Sequence, residues 1–330
     1  MTTWFQSSTK GVTYVRCDLP AKHLPGMVVD FADLTKSNDD GTYTFSHEDS
    51  CSVWFAPGNY LRGVAMEAQR REGQRVMVEI DDLYLRLPPI AYLGQSRPWK
   101  KKFDRTMIHE HSSQMHEIIC REVADGFIVS TPRLEKEYLV FGKPVFVCQN
   151  TVDPADWRFR RAKKDVFRIG FAGSGSHMID MSLVIPALEW AAKQDGVEVV
   201  MLGNIQLPYA RNMPWTETLA DYRKSLFQLD VGVCPLKGGT WANCKSDLKA
   251  LEYSMAGALP IVSRVEPYSP WLKQDSAALS ADNPRDFLKQ VKWCVRNQNE
   301  VKDRAKACKE KVLAERTTAG NIWRWQEAVA

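Results

Sequence analysis

Short apolar strands alternate with helical segments along most of the 330 residues, and this alternation is the feature that most constrains the fold. It is typical of right-handed βαβ units, whose strands form a parallel sheet. The polar, proline-containing stretch Asn150–Lys164 interrupts the alternation and divides the strands into two groups. The sequence therefore predicts an α/β protein with two doubly wound domains that face each other across a cleft.

We place the first domain at residues 1–155 and the second at 156–305, and expect C-terminal helices at 306–330 to pack back on the first domain. The strands predicted in the first domain are Val12–Cys17, Met27–Asp30, Ser52–Ala56, Arg75–Ile80, Phe127–Ser130 and Val145–Cys148. Those predicted in the second are Phe167–Ala172, Glu198–Leu202, Asp230–Cys234 and Leu259–Ser263. Ligands of such sheets bind beyond the carboxyl ends of the strands, so the cleft is the expected active site.

The cysteines and the apolar runs indicate the cellular compartment expected for this protein. The eight cysteines show no C-x-x-C spacing, which predicts reduced, mostly buried thiols in a cytoplasmic protein. No apolar run reaches transmembrane length, and the N-terminus lacks the apolar core of a secretory signal. The net charge of +4 permits an anionic partner without requiring one.

The stretch Asn243–Tyr268 is predicted to be a helix followed by a buried strand, with Ser246 as the N-cap. Lys245 and Lys249 lie one turn apart at the start of this helix, where the macrodipole disfavours cations. Glu252 falls on the buried stripe, where a carboxylate is costly unless it is hydrogen-bonded. The pattern therefore predicts an external anion beside the lysines. An ordinary i, i+3 pair between Lys249 and Glu252 is the alternative.

Two loops that follow strands have the composition of phosphate sites. Backbone amides can hold a phosphate where a strand turns into a helix, as at the run Gly173, Ser174, Gly175, Ser176 and His177. That run lacks the GK[ST] of a P-loop, and Met178 stands where a dinucleotide fingerprint needs its third glycine. A tight connection is the alternative interpretation. The loop Lys237–Ala242 also follows a strand, and the two junctions together favour a phosphate site.

The run VGVCPLKGGTWANCKSDLKALEYSMAGALPIVSRVEPY resembles the donor-binding region of GT-B glycosyltransferases of the group-1 or family 4 type. The segments EIDDLYLRLP, GFIVSTPRLEKEY, VCQNTVD and FRIGFAGSGSHMIDM support the resemblance, which extends from about Arg75 to Tyr268. It implies two Rossmann-like domains and a sugar transfer from a nucleotide-diphosphate sugar to an acceptor hydroxyl. It also implies retention of anomeric configuration, with neither a metal nor a further cofactor.

The resemblance gives roles to individual residues of the predicted donor site. Glu252 matches the second glutamate of the family's paired-glutamate motif, which accepts hydrogen bonds from the nucleotide ribose. Cys244 stands where the first glutamate is expected, so the recognition of the donor sugar is left open. Lys245 matches a cation that neutralises the donor diphosphate. The predicted donor-binding residues are Gly173, Ser174, Gly175, His177, Gly239, Thr240, Lys245, Ser246, Lys249 and Glu252.

Four residues are predicted to take part in catalysis. Asp81 and Asp82 end a strand of the first domain and would position or deprotonate the acceptor hydroxyl, unless they only form a turn. Lys245 would stabilise the charge that develops on the leaving nucleotide diphosphate. Because family members place a histidine near the donor sugar, His109 is a further candidate, with His111 as its alternative.

The acceptor and two rival functions stay open. Trp99 and Trp157 flank the basic clusters Lys100–Lys102 and Arg158–Lys164, which suit solvated surfaces or an anionic acceptor such as DNA with a modified base. A glycan, a lipid or a protein is the other acceptor class. Loss of the first glutamate at Cys244 is compatible with an inactive nucleotide-sugar-binding protein. An NAD-dependent oxidoreductase is a further alternative, which the missing third glycine opposes.

Overall fold

The computed structural model describes residues 2–6, 10–24, 26–30, 51–55, 70, 72–86, 113–161, 165–273 and 276–330. Over these ranges the chain forms two six-stranded parallel sheets with helices packed against them, which confirms the predicted doubly wound α/β class. His109, His111, Trp99 and Lys100–Lys102 lie outside the described residues.

The first sheet has the strand order β2-β1-β3-β4-β5-β6, and every neighbouring pair is parallel. Its strands are β1 (Thr2–Gln6), β2 (Gly26–Asp30), β3 (Cys51–Phe55), β4 (Arg75–Ile80), β5 (Gly126–Val129) and β6 (Val145–Val147). The order changes direction at β1, and ligands of doubly wound sheets bind outside the carboxyl ends of the strands at such a point.

The prediction of a strand at Val12–Cys17 is wrong. This segment begins in helix α1 (Lys10–Thr13), continues through the π-helical turn Tyr14–Asp18 and leads into α2 (Leu19–Ala21). Its β-branched residues favour a strand locally, but the successive side chains of residues 15–17 are all buried, which a helix packed at the edge of the core accommodates. The first strand is instead β1, which the sequence pattern did not predict.

The second sheet has the order β12-β11-β10-β7-β8-β9. Its strands are β7 (Phe167–Gly173), β8 (Val197–Gly203), β9 (Arg211–Met213), β10 (Val231–Cys234), β11 (Leu259–Ser263) and β12 (Leu279–Ala281). Read from β9, this is the 3-2-1-4-5-6 order of dinucleotide-binding sheets, with its switch point between β7 and β10. All four strands predicted for this domain are present, and the structure adds β9 and β12 at the edges.

Helices cover both sheets, and several begin at a side-chain cap. The longer ones are α3 (Pro132–Tyr138), α4 (Ile185–Ala191), α5 (Leu219–Leu226), α7 (Leu248–Met255), α8 (Pro284–Arg296) and α9 (Gln298–Glu315), with the single turn α6 (Thr240–Asn243) before α7. The Thr131 hydroxyl caps α3 by accepting the Leu134 amide at 3.2 Å. Helix α7 packs against β10, β11 and α9, which fixes its position in the second domain.

The C-terminal segment returns to the first sheet. Helix α9 continues across residues 305–306, and the chain crosses at Thr317, which forms a parallel bridge with Val152. The helices α10 (Thr318–Asn321) and α11 (Trp323–Val329) follow, and α11 packs against β6. Trp325 of α11 is fully buried in an apolar cluster that also contains Trp4 of β1. The last helix therefore belongs to the core of the first domain.

Candidate active site

A cavity of about 550 Å³ lies between the carboxyl ends of the two sheets, a volume typical of small-molecule sites. The first domain contributes α1 and the end of β4, and the second contributes the end of β7, the segment before α5 and the start of α7. The predicted site residues that line it are Asp81, Asp82, Gly173, Ser174, His177, Lys245, Ser246, Lys249 and Glu252.

Three predicted donor-binding residues are not among the residues that line this cavity. Gly175 is buried within the turn after β7, and Gly239 and Thr240 are exposed where α6 begins. Because α6 folds as a separate helical turn, it carries these two residues away from the cavity, and Trp241 of that turn packs on the apolar core of the first domain. His109 lies outside the described residues.

Glycine is required at two points beside the cavity. A Cβ at Gly173 would lie 2.5 Å from the Phe171 ring, so a larger residue would disturb the turn at the end of β7. Gly203, at the end of β8, has a φ of +120°, and a Cβ there would lie 2.3 Å from the Gly173 carbonyl oxygen and 2.9 Å from the Trp215 ring. These glycines allow the turn after β7 and the Trp215 side chain to come together.

The start of helix α7 differs from the prediction, because the N-cap is Asp247 and not Ser246. The Asp247 carboxylate makes no capping bond and instead accepts from the Arg316 guanidinium at 2.8 and 2.9 Å and from the Trp271 indole N–H at 2.9 Å. The Ser246 hydroxyl accepts a hydrogen bond from the Asn150 amide at 2.7 Å. Distant partners therefore use the side chains that local capping would use.

The two lysines of this segment enter the cavity from one side. Lys245 Nζ lies 3.1 Å from an Asp82 carboxylate oxygen and 3.8 Å from the centroid of the Trp241 ring. Lys249 Nζ lies 5.5 Å from the centroid of the Phe171 ring. Burial lowers the pKa of Lys249, nearby Glu252 opposes that shift and the charge of Lys245 adds to it. Two lysines that line one cavity favour an anionic ligand.

Glu252 is hydrogen-bonded, as a carboxylate on the buried stripe requires. Its Oε2 accepts from the Tyr222 hydroxyl at 2.7 Å, whereas Oε1 has no hydrogen-bond partner among the described residues. Burial raises the pKa of Glu252, and the Tyr222 hydrogen bond and the charge of Lys249 oppose that shift. One carboxylate oxygen is thus available to a ligand in the cavity.

His177 and Asp180 connect the loops that follow β7 and β10. His177 Nδ1 lies 2.9 Å from Asp180 Oδ2, and Asp180 Oδ1 accepts the Lys237 amide at 2.8 Å. Burial lowers the pKa of His177 well below its ordinary value, and the charges of Lys249 and Lys245 lower it further. The imidazole is therefore neutral, and the carboxylate partner places its hydrogen on Nδ1.

Asp81 and Asp82 line the opposite wall of the cavity but have different partners. Asp81 accepts a hydrogen bond from the Tyr84 hydroxyl, whereas Asp82 forms its ion pair with Lys245 across the cleft. Burial raises the pKa of Asp81 to about 6, and the charge of Asp82 contributes in the same direction. The two adjacent carboxylates therefore lie in different environments.

Among the lining residues that sequence reasoning missed, three have side chains that bear directly on the site. Trp215 follows β9 and is 44% exposed, which is unusual for so large an apolar side chain. Tyr222 is the hydrogen-bond partner of Glu252, and Asn150 is the partner of Ser246. Asn150 belongs to VCQNTVD, a segment that supported the family resemblance without receiving a role. Trp215 and Tyr222 had no comparable signal, because their partners lie on other elements.

The structure contradicts the stacking role predicted for Trp157 beside the basic cluster. Trp157 is buried, with its ring centroid 6.4 Å from that of Phe227, so its ring is not free to stack on a base. Arg161 of the same basic cluster is 3.0 Å from Asp230 and also bonds to the Leu229 carbonyl oxygen. These two side chains connect parts of the second domain.

Other chemistry-bearing residues lie away from the cavity. All eight cysteines are free and buried, and Cys244 packs in an apolar cluster formed mainly by the first domain. Cys244 therefore presents no polar group to the cavity. Within the described ranges, no group of three or more His, Cys, Asp or Glu side chains is arranged to hold a metal ion. No helix in those ranges is both long enough and apolar enough to cross a membrane.

Comparison with solved structures shows the fold. HepE of Anabaena, solved in complex with UDP and glucose, superposes with a TM-score of 0.67 at 10% identity over 99% of each chain. A glycosyltransferase from Rickettsia africae gives 0.63 at 10% identity over 99% of this chain and 97% of the other. TarM gives 0.56 at 12% identity over 84% of this chain, which spans only 54% of TarM.

No family model matches the sequence, and no curated protein matches it. The structural likenesses, together with the two facing sheets and the cavity at their carboxyl ends, define the class of fold. The chain has the GT-B fold, as the sequence resemblance predicted.

Proposed function

We propose that this protein is a glycosyltransferase that moves a sugar from a nucleotide-diphosphate sugar to an acceptor hydroxyl. The observation that carries the proposal is the convergence of Lys245, Lys249 and the Gly173–Ser174 turn on one cavity that also contains Glu252. Solved proteins of the same fold support it, since HepE of Anabaena has been solved in complex with UDP-glucose.

In this proposal the donor lies along the second domain. The two lysine ammonium groups and the amides at Gly173 and Ser174 hold the diphosphate. The free Oε1 of Glu252 accepts a ribose hydroxyl, because its other oxygen is already bonded to Tyr222. The half-exposed ring of Trp215 offers a flat surface on which the nucleobase stacks.

The chemistry follows from where charge develops. As the sugar–phosphate bond breaks, negative charge grows on the leaving diphosphate, and Lys245 and Lys249 are already positioned to stabilise it. We therefore propose that no metal ion is required. The acceptor hydroxyl approaches the first domain, where the Asp81 carboxylate takes its proton and Asp82 holds Lys245 in place. Retention of anomeric configuration is proposed from the family resemblance.

The proposed location is the cytoplasm. Eight free, buried cysteines support it, because oxidising compartments favour disulfides. The acceptor enters from the side of α1 and β4, which line the cavity at Gly11, Val12 and the acidic pair.

Catalytically inactive nucleotide-sugar binding is the second candidate function. Cys244 is buried away from the cavity, so position 244 supplies no carboxylate to the donor sugar. A protein of this kind would bind the donor without turning it over. Donor turnover therefore separates the two candidates.

A donor panel tests the proposed function. Binding of UDP-, GDP- and ADP-linked sugars is measured by calorimetry, and their hydrolysis or transfer is followed with and without EDTA. We expect one nucleotide class to bind and to be turned over equally in the presence of EDTA. The Lys245→Ala variant should weaken donor binding about tenfold or more, because it removes a charge-assisted contact to the diphosphate.

Lys289→Ala provides the matched control, because Lys289 is exposed on α8 and does not line the cavity. It should bind the donor as the wild type does. Binding without turnover would favour the inactive protein. If no member of the panel binds to the wild type, the glycosyltransferase proposal is wrong.

A further inference from the structure

A series of hydrogen-bonded polar side chains leads from the core of the first domain to the start of α7. Glu79 of β4 and Arg16 are both fully buried and form an ion pair, with Arg16 Nε 2.7 Å from Glu79 Oε1. Arg16 Nη1 donates to Asn150 Oδ1 at 3.0 Å, and Asn150 Nδ2 donates to Ser246 Oγ at 2.7 Å. The series ends at the cavity, which Asn150 and Ser246 both line.

The chemistry of Arg16 fixes the direction of every hydrogen bond in this series. A guanidinium has only donors, so the atom of the Asn150 side chain that faces it must be the carbonyl oxygen. The Asn150 amide nitrogen must then face Ser246, and it can only donate. The Ser246 oxygen is therefore an acceptor in this bond, and its own hydrogen has to point elsewhere.

The Ser246 hydrogen has no acceptor among the described residues, and the side chain lies between Lys245 and Lys249 in sequence at the cavity wall. We propose that Asn150 is a positioning residue that makes Ser246 an obligate hydrogen-bond donor to a diphosphate oxygen of the ligand. The inference rests on the proposed function, since it concerns the same donor site. It adds an oriented hydroxyl to the charges of the two lysines.

Arg316 fixes the chain on both sides of the Asn150–Ser246 hydrogen bond. Its guanidinium donates to the Asn150 backbone oxygen at 2.7 and 3.1 Å and to both oxygens of the Asp247 carboxylate. Asn150 and the N-cap of α7 are therefore fixed by one side chain, which is itself buried. The Asn150–Ser246 hydrogen bond is thus set before a ligand arrives, and a preorganised donor needs no reorganisation to bind an anion.

The test compares a nucleoside diphosphate with its parent nucleoside. Dissociation constants are measured by calorimetry on the full chain for UDP, GDP and ADP, and for the nucleoside of the one that binds most tightly. Ser246→Ala should weaken diphosphate binding about tenfold, the effect of losing a hydrogen bond to a charged group, and should leave nucleoside binding unchanged.

Asn150→Asp reverses the polarity of the bond, because a carboxylate accepts the Ser246 hydrogen instead of donating to its oxygen. It should weaken diphosphate binding at least as much as Ser246→Ala. The two effects should not add in the double variant, since both remove the same hydroxyl donor. Ser246→Thr keeps the hydroxyl and should retain most of the affinity.

Ser254→Ala is the matched control, because the Ser254 hydroxyl donates to the Ala250 carbonyl oxygen of its own helix, away from the cavity. It should not change either constant. If the wild type binds a diphosphate and Ser246→Ala binds it equally well, the inferred role of Ser246 and Asn150 is wrong while the proposed function stands. If the wild type binds none of the three diphosphates, both proposals fail.

Discussion

At the scale of single residues, the acidic pair after β4 shows how two identical, adjacent side chains acquire different partners. Asp82 forms an ion pair with Lys245 at 3.1 Å, whereas Asp81 accepts a hydrogen bond from the neutral Tyr84 hydroxyl. Burial and the Asp82 charge raise the pKa of Asp81 to about 6. A carboxylate of this pKa is ionised at neutral pH and still basic enough to take a proton from an acceptor hydroxyl.

This difference predicts the pH dependence of turnover. The kcat/KM for the donor should rise with pH through about 6, as Asp81 loses its proton. In Asp82→Asn the rise should move to lower pH, because a neighbouring negative charge that raises the pKa of Asp81 is gone and Lys245 remains. Asp81→Asn should lower kcat by about 100-fold or more. A pH–rate profile of the three proteins checks this, and an unmoved profile in Asp82→Asn would contradict it.

At the scale of elements, the packing of α7 on the second sheet depends on a close approach between a strand and a helix. Gly232 of β10 lies under the Tyr253 ring of α7, and a Cβ at that glycine would be 2.3 Å from the ring. The Tyr253 hydroxyl accepts the Ala172 amide at 2.8 Å, next to the turn at Gly173. The position of α7, which carries Lys249 and Glu252, is thus set partly by the absence of a side chain.

Gly232→Ala should therefore destabilise the fold. Overpacking of a tight contact in a core costs about 1–3 kcal/mol, and here the new methyl group would meet an aromatic ring held by a hydrogen bond. Urea unfolding followed by fluorescence measures the change. Gly11→Ala is the control, since among the described residues nothing beyond its chain neighbours and its own helix backbone lies within 4 Å of a Cβ there, and the substitution favours α1. Equal midpoints for the two variants would refute the packing argument.

At the scale of the whole molecule, the last helix ties the end of the chain to the first domain. Trp325 is fully buried, and the Arg16 guanidinium lies 5.5 Å from the centroid of its ring. Trp323, two positions earlier on the same helix, is 51% exposed. The same helix thus offers one tryptophan in the core and one at the surface.

Replacing each tryptophan with alanine should show that the loss of stability depends on whether the tryptophan is buried in the core. Trp325→Ala should lower the free energy of unfolding by about 3–5 kcal/mol, because it leaves a cavity beside the buried Arg16 side chain. Trp323→Ala should change it by about 0.5 kcal/mol or less, as surface substitutions usually do. Chemical denaturation monitored by circular dichroism compares them. A Trp325→Ala protein as stable as the wild type would show that α11 does not belong to this core.

The sequence predicted most of the fold because its signals are local. Periodicity located β4 at Arg75–Ile80 without error, and the alternation of elements predicted two parallel sheets. The error at Val12–Cys17 came from the same source, since β-branched residues favour a strand until tertiary packing selects a helix. The location of the candidate site could also be predicted from the order of strands along the sequence, because the carboxyl ends of parallel strands meet at one edge of a sheet.

What the sequence by itself determined is which groups one short segment carries: helical spacing places Lys249 and Glu252 one turn apart, and Lys245 precedes them by less than two turns' length of chain. Only the tertiary structure decided their partners. Ser246 bonds to a residue 96 positions away, and Lys245 pairs with one 163 positions away. Spacing rules reach one or two turns of a helix, whereas these contacts exist only because two separate domains fold and meet at the cleft.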